Sequence, residues 1–307
     1  MKNLKSEIRE LIKGEIRFDE PMSAHTSLKT GGPVEIMAFP EDPVSLKNIL
    51  TAAEKENIPV FIFGGGTNLL AGDGKIEGIA VSLRAFRSIE LTRETEENNA
   101  VLYVGAGVPL ALLVNLARKN GYSGIEALAG IPGHIGGAVY MNAGSFGAEI
   151  RDVVVSVAIM NMHGEISVLE KDKLCFSYRS ANLPEGSVIL SANFILKKDD
   201  PAEVEKRTRE FLEKKKAAQP PGKFSAGCVF KNPAGHAAGR LIDAAGCKGM
   251  RAGDMEVSAM HANYFINKGK ATCRDFIELM ETVKAKVREY SGIELESEVK
   301  IIGGIID

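Results

Sequence analysis

Aliphatic positions along the chain switch between helical and strand spacing, and the switches outline its elements. Leu4, Ile8, Leu11 and Ile12 repeat at helical intervals among charges, so residues 1–27 read as an amphipathic helix followed by a connector. Val34-Glu35-Ile36-Met37-Ala38-Phe39 is strand-like and stops at Pro40. Asp42 followed by Pro43 predicts a helix start, because proline at the first helical position gives up no needed hydrogen bond. Leu46, Ile49, Leu50 and Ala53 supply that helix with a buried stripe, and Pro59 ends it. Val60-Phe61-Ile62-Phe63 predicts a short buried strand running straight into Gly64-Gly65-Gly66. The first segment, residues 1–84, is therefore a β-α-β unit whose second strand opens into a glycine loop.

A second segment, residues 85–198, is rich in short strands. They are predicted over residues 101–104, 153–160, 165–169 and 188–196, with His163-Gly164 as a hairpin turn between two of them. One helix, residues 109–120, interrupts the strands, and a glycine-rich passage covers residues 130–147. The third segment, residues 199–307, opens with a charged helix over 201–216 and the breaker Gln219-Pro220-Pro221-Gly222. A helix near 239–245 capped by Gly246 follows, then strands over 255–259 and 263–267. A long helix over 272–290 carries the stripe Phe276, Leu279, Met280, Val283 and Val287, and residues 298–302 form a last strand. The third segment reads as a compact α+β domain.

Composition narrows the function classes. The 307 residues are 45% hydrophobic and 25% charged, with 38 Lys+Arg against 40 Asp+Glu. That balance disfavours a basic nucleic-acid binder. No apolar run is long enough to cross a membrane, and the N-terminus has no apolar block of the secretory kind. Cys175, Cys228, Cys247 and Cys273 lie far apart without a CxxC pair, which points away from zinc or a disulfide framework and towards a reduced, cytoplasmic protein. No metal is expected, and the oligomeric state is left open. There are 32 glycines and no tryptophan, an excess suited to loops where backbone approaches a ligand.

Two glycine passages are the first candidates. Phe63-Gly64-Gly65-Gly66-Thr67-Asn68-Leu69-Leu70 can aim successive N–H groups at a phosphate, or can be a tight turn needing positive φ. The second, Gly130-Ile131-Pro132-Gly133-His134-Ile135-Gly136-Gly137-Ala138, is followed by Asn142-Ala143-Gly144. Neither phosphate-loop fingerprint is present, yet two such loops suggest a cleft for something long, such as a dinucleotide. Ser177-Tyr178-Arg179-Ser180 carries an arginine near a strand end, either a surface charge or an anion ligand. In Ser225-Ala226-Gly227-Cys228-Val229-Phe230-Lys231-Asn232-Pro233, small neighbours leave the sulfur approachable, although a free cysteine is commonly a small buried hydrophobe. Lys231 and Asn232 could meet phosphates. Glu298 is one of several acids near the C-terminus, and His261 allows a Cys228/His261 pair of the thiol-hydrolase kind.

Taken together, these stretches resemble the UDP-N-acetylenolpyruvoylglucosamine reductase (UDP-N-acetylmuramate dehydrogenase) family over nearly the whole chain. The likeness runs from Thr26-Ser27-Leu28-Lys29-Thr30-Gly31-Gly32, through both glycine passages and Ser177-Tyr178-Arg179-Ser180, to the Cys228 segment and Glu298-Val299. The short link between Arg179 and Pro220 resembles the subgroup that lacks a tyrosine-bearing loop insertion. The resemblance implies an α+β fold: a two-lobed FAD-binding domain of the vanillyl-alcohol-oxidase (PCMH) type, plus a C-terminal α+β substrate-binding domain. It implies non-covalent FAD, with NADPH as reducing co-substrate and UDP-N-acetylglucosamine-enolpyruvate as the small-molecule substrate. Neither nucleic acid nor membrane insertion has a part in such chemistry.

The implied reaction passes hydride from NADPH by way of the flavin to the enolpyruvyl methylene carbon. The adjacent carbon then carries charge that needs a fixed cation and an acid. By the resemblance, Arg179 stabilises that charge, Glu298 sits near the same carboxylate, and Cys228 donates the proton. Gly64, Gly65, Gly66, Thr67, Asn68 and Leu69, with Gly130, Ile131, Pro132, Gly133, Gly136, Gly137 and Ala138, would bind FAD. Tyr178, Lys231 and Asn232 would contact substrate. Cys228 is a departure, because the family usually has serine there; a thiol titrates near ~8.5 and can still donate at neutral pH. Sugar and alcohol oxidases of the same fold are the nearest alternative.

Overall fold

The computed structural model describes residues 8–220, 222 and 224–303. The chain divides into two compact units: Met1–Phe18, Ile36–Gly65 and Gly78–Lys215 make the first, and Asp19–Glu35, Gly66–Glu77 and Lys216–Asp307 the second. The first two sequence segments share one hydrophobic core, in which Ile36 and Ile79 join Val104 and Phe194. The third segment is completed by two earlier stretches of chain.

In the first unit, antiparallel strands lie in the order Ile166–Glu170, Val154–Met160, Val188–Lys198, Asn99–Gly105, Ile89–Glu94. The central strand, Val188–Lys198, is almost wholly buried, which matches its run of apolar residues. The expected hairpin turn is present: Gly164 has φ 77° and its N–H donates to the Asn161 carbonyl. Ile89–Glu94 was not foreseen, because this edge strand is exposed and mostly polar. The helix Leu110–Asn120 buries Leu110, Leu113, Val114 and Ala117 and ends at Gly121 in the left-handed region. The helix Pro43–Lys55 starts as read, with the Asp42 side chain accepting from the Ser45 N–H at 2.7 Å.

A four-stranded sheet runs in the order Gly14–Pro21, Pro33–Pro40, Ile76–Ser82, Val60–Phe63. Two expectations change here. Helix is confined to residues 8–11 of the described N-terminus, and Gly14–Pro21 is a strand; Leu4 lies outside the described residues. Charges masked a period-two pattern in which Ile16 and Phe18 pack against the core. The second correction concerns the β-α-β unit. Ile76–Ser82, unread in the sequence, pairs in parallel with Val60–Phe63 and separates it from Pro33–Pro40.

The second unit is organised by the helix Cys273–Ser291. Thr272 and Asp275 form a reciprocal capping box at its start, and Gly292 at φ 71° ends it. The stripe read from the sequence is buried. It shares a core with the antiparallel strands Arg251–Ala252, Met255–Val257 and Phe265–Asn267 and with the helix Ala238–Ala244. Phe265 is central, with ring centroids 5.2 Å from Phe276 and 6.1 Å from Phe230. The last strand, Lys300–Ile302, pairs in parallel with Leu69–Ala71, so the end of the first glycine passage is itself a strand. Because Phe265 is fully buried, Phe265→Ala should cost about 3–5 kcal/mol of unfolding free energy, read from the second unit's transition in denaturant.

Candidate active site

In the first unit, the strand Val60–Phe63 delivers Gly64 and Gly65; it is not the buried strand expected, for only Phe63 is buried while Ile62 is exposed on the wall of a cleft. The second glycine passage leaves the 3-10 turn Glu126–Leu128, bends at Gly130 (φ 76°) and Gly133 (φ 115°), and enters the short helix Ile135–Tyr140. Both ends of the bend are tied down. The Gly133 carbonyl accepts from the Leu110 N–H, and the Ile135 N–H donates to the Val108 carbonyl at 2.8 Å. The two passages meet, for a Cβ on Gly64 would lie 3.5 Å from the His134 Cβ. Together they line a cleft of about 410 Å³ with Ile62, Gly64, Gly136, Gly137, Tyr140 and Ile189 among its walls.

Two features suit this cleft to a ligand. Next to Gly137 there is open space: beyond its own helix, no atom of the described residues lies within 4 Å of where a Cβ would stand. His134 Nδ1 is buried without a hydrogen-bond partner among the described residues. Burial, and then the charge of Arg87, hold the His134 imidazole below its usual pKa, so the ring is neutral at physiological pH. Other members of the passage serve the scaffold: Gly136 donates to the Ala106 carbonyl, while Ala138 is buried in the core and donates to the His134 carbonyl.

From Gly66 onward the first passage belongs to the second unit. Gly66 has φ 61°, and a Cβ there would stand 2.0 Å from the His25 carbonyl oxygen, so only glycine fits. Its own carbonyl accepts from the Ser27 N–H, and the Ser27 hydroxyl donates to the Ser225 carbonyl at 2.6 Å. Thr67 is half-buried. The Asn68 side-chain amide donates to the Glu298 carbonyl at 3.1 Å, and Leu69 pairs with Lys300. Asn68 and Leu69 thus tie down the segment from Glu298 to Lys300, the last strand beginning at Lys300 rather than at residue 298 as expected.

Residues 224–231 run between two neighbours through isolated bridges, with Cys228 opposite Tyr264 and Phe230 opposite Ser297. Asn263, 2% exposed, secures the arrangement: its side chain accepts from the Phe230 N–H at 2.9 Å and donates to the Phe230 carbonyl at 2.8 Å. The Glu298 N–H donates to the Val229 carbonyl at 2.8 Å. Residues directly opposite in an antiparallel pair share a face, and the Tyr264 hydroxyl is hydrogen-bonded to the Cys228 side chain. Burial, reinforced by Cys228 and then by Glu298, pushes the Tyr264 phenol far above its usual range. Cys228, Tyr264 and Glu298 are therefore one electrostatic cluster.

Tyr264 was missed in the sequence, because a tyrosine inside a predicted strand carries no sign of what lies across from it. His261, the alternative partner for Cys228, accepts at Nδ1 from the Asn263 N–H at 3.3 Å and places its ring edge-on to Tyr264 at 4.9 Å. The two expected phosphate contacts both have work within the protein. Lys231 pairs with Glu296, and Asn232 accepts from the Ala238 N–H at 2.9 Å, capping the helix Ala238–Ala244.

Arg179 lies in the first unit in a closed turn. Ser177 and Ser180 exchange backbone hydrogen bonds at 2.9 and 3.2 Å. Arg179 takes the left-handed conformation at φ 60°, a costly geometry for a non-glycine residue, and its guanidinium lies 4.9 Å from the Tyr178 ring centroid. The turn is held from outside, since the Asn142 amide donates to the Ser177 carbonyl at 3.0 Å and the Asn182 amide to the Ser177 hydroxyl.

Comparison with known proteins matches these parts. Residues 34–170 fit the model of an FAD binding domain, and residues 219–302 fit that of the UDP-N-acetylenolpyruvoylglucosamine reductase C-terminal domain. A UDP-N-acetylenolpyruvoylglucosamine reductase of Geotalea uraniireducens is 40% identical over 95% of this chain and 95% of its own length. That of Clostridium novyi is 40% identical over 95% and 94%. The crystal structure of the Thermus caldophilus UDP-N-acetylenolpyruvylglucosamine reductase is similar with a TM-score of 0.80 at 33% identity, covering 95% of this chain and 99% of that one.

Gly137→Ala offers a direct check on the cleft. The added methyl meets no protein atom, so the melting temperature of the cofactor-free protein should hold while FAD affinity falls about tenfold or more. Unchanged FAD affinity would place the cofactor elsewhere.

Proposed function

The chain belongs to the UDP-N-acetylenolpyruvoylglucosamine reductase family, and we propose how its residues divide the family's reduction of UDP-N-acetylglucosamine-enolpyruvate to UDP-N-acetylmuramate. FAD, when bound, would supply the redox chemistry that links NADPH to the enolpyruvyl methylene carbon. The glycine passages at residues 64–69 and 130–138 hold that cofactor. The open space at Gly137 and the orphaned His134 nitrogen support this reading, because both fit a cleft walled by a ligand.

Hydride addition leaves an electron pair on the ether-bearing carbon, delocalised into the carboxylate. Arg179, whose backbone is fixed by its turn, stabilises that charge. Cys228 gives its proton to the carbon, and the electron pair of the S–H bond stays on sulfur as a thiolate. Tyr264 donates its hydroxyl hydrogen to that thiolate, and solvent restores the proton. Glu298 lies near the substrate carboxylate, where it would serve as a hydrogen-bonding acid if burial under the substrate raised its pKa. Tyr178, Lys231 and Asn232 contact substrate, Lys231 by leaving the exposed partner Glu296 for a phosphate.

The observation that carries this assignment is the grouping of Cys228, Tyr264 and Glu298 in the C-terminal family domain. A phenol that keeps its own proton is a fitting donor to a thiolate, so a cysteine can act here in the place where the family resemblance implies a serine. The reaction serves peptidoglycan precursor synthesis. We place it in the cytoplasm, where reducing conditions preserve a working thiol. Its partners are two nucleotide small molecules, with no part for nucleic acid or a membrane.

Two experiments test the division. Cys228→Ala should still allow NADPH to bleach the flavin while sugar reduction falls about 10²–10⁴-fold, and Cys228→Ser should remain active. Normal sugar turnover in the alanine variant would remove Cys228 from the mechanism. Tyr264→Phe deletes a donor to the thiolate, which raises the thiol pKa. The high-pH loss of sugar reduction should then shift upward in pH, and an unmoved limb would leave Tyr264 without a role.

A further inference from the structure

The helix Pro201–Ala218 faces solvent with most of its charges, but Lys215 is 6% exposed while its neighbours Lys214 and Lys216 are exposed. The Lys215 ammonium donates to the Ala129 carbonyl at 2.7 Å, one residue before the loop at 130–133 begins. Its stem supports the same place, because a Cβ on Gly130 would lie 3.2 Å from both Lys215 Cδ and Leu212 Cδ2. Phe146, whose ring centroid is 6.0 Å from Nζ, packs at a tilt against Phe211 with centroids 5.4 Å apart.

No carboxylate pairs with this ammonium among the described residues. Glu126, the acid of the 3-10 turn that leads into Ala129, is bound by Arg207 at 2.9 Å, by the Gly124 N–H at 2.7 Å and by Ser123. Arg207 in turn reaches Asp199 at 2.6 Å, and Lys214 lies over Phe211. His134, on the same loop, is neutral. A buried cation without a counter-charge is costly, and an anionic ligand beside it would offset that cost.

We propose that Lys215 is a positioning residue for the cofactor's pyrophosphate: it holds the Ala129 carbonyl, and with it the loop at 130–133, and its charge is neutralised when the dinucleotide binds. The inference rests on the assignment of that loop to FAD. Linkage sets the sign. In the free protein burial lowers the Lys215 pKa to about 8. A bound dianion favours the ammonium and raises that value, so FAD affinity should be level below the free-protein pKa and weaken as pH rises through it.

The test is FAD release from the holoenzyme, read as flavin fluorescence, with the dissociation constant measured from about pH 7 to about pH 10. The wild type should lose up to about tenfold in affinity per pH unit above the free-protein pKa. Lys215→Met keeps an apolar stem of similar length and removes the charge; it should bind roughly tenfold or more weakly at neutral pH, with a flat profile. Lys215→Arg, charged throughout, should bind well and also show a flat profile. Thermal melts of each cofactor-free variant separate stability from affinity. A Lys215→Met protein with wild-type affinity and pH dependence would overturn the inference while leaving the FAD assignment standing. A wild type that takes up no FAD would overturn both.

Discussion

A single buried amide, that of Asn263, fixes the geometry on which the proposed proton transfer depends. It satisfies both the N–H and the carbonyl of Phe230, two groups that would each be costly to bury unpaired. With Phe230 held, the register follows: Cys228 stands opposite Tyr264, and the Val229 carbonyl meets the Glu298 N–H. Asn263, Phe230 and Phe265 are all buried, so this bidentate bond forms in low-dielectric surroundings that strengthen it. A proton donor must be placed to a fraction of an ångström, and here that placement comes from a polar group inside an apolar core.

The glycine passages solve a different problem with bare backbone. Gly66 and Gly130 adopt left-handed conformations, and Gly137 keeps a volume clear that any side chain would invade. These positions explain the glycine excess better than flexibility does. The loops are tied at both ends by strand and helix hydrogen bonds, so the N–H groups are presented by a rigid frame. In the proposed FAD site, donors held this rigidly would cost no reorganisation on binding the pyrophosphate.

Much of this was legible in the sequence. The helices Pro43–Lys55 and Cys273–Ser291 combine strong apolar stripes with cap residues, and both signals are local. The hairpin around Gly164 and the two glycine passages were equally plain. What stayed hidden depends on long-range pairing. Ile89–Glu94 is a polar edge strand, Leu69–Ala71 is too short to show a period, and Gly14–Pro21 hides its alternation behind charges. Tyr264 belongs to the same class, since its importance comes from Cys228 lying across from it. Lys215 sits among lysines that look alike in sequence, and only burial separates it from Lys214 and Lys216.

The most direct measurement is anaerobic mixing of the NADPH-reduced holoenzyme with UDP-N-acetylglucosamine-enolpyruvate in heavy water. The account predicts that the flavin's yellow colour returns and that the product carries one deuterium on the ether-bearing carbon, delivered by an exchangeable thiol. A protein that retains no flavin at saturating FAD, or one whose bleached flavin is not reoxidised by this substrate, would contradict it.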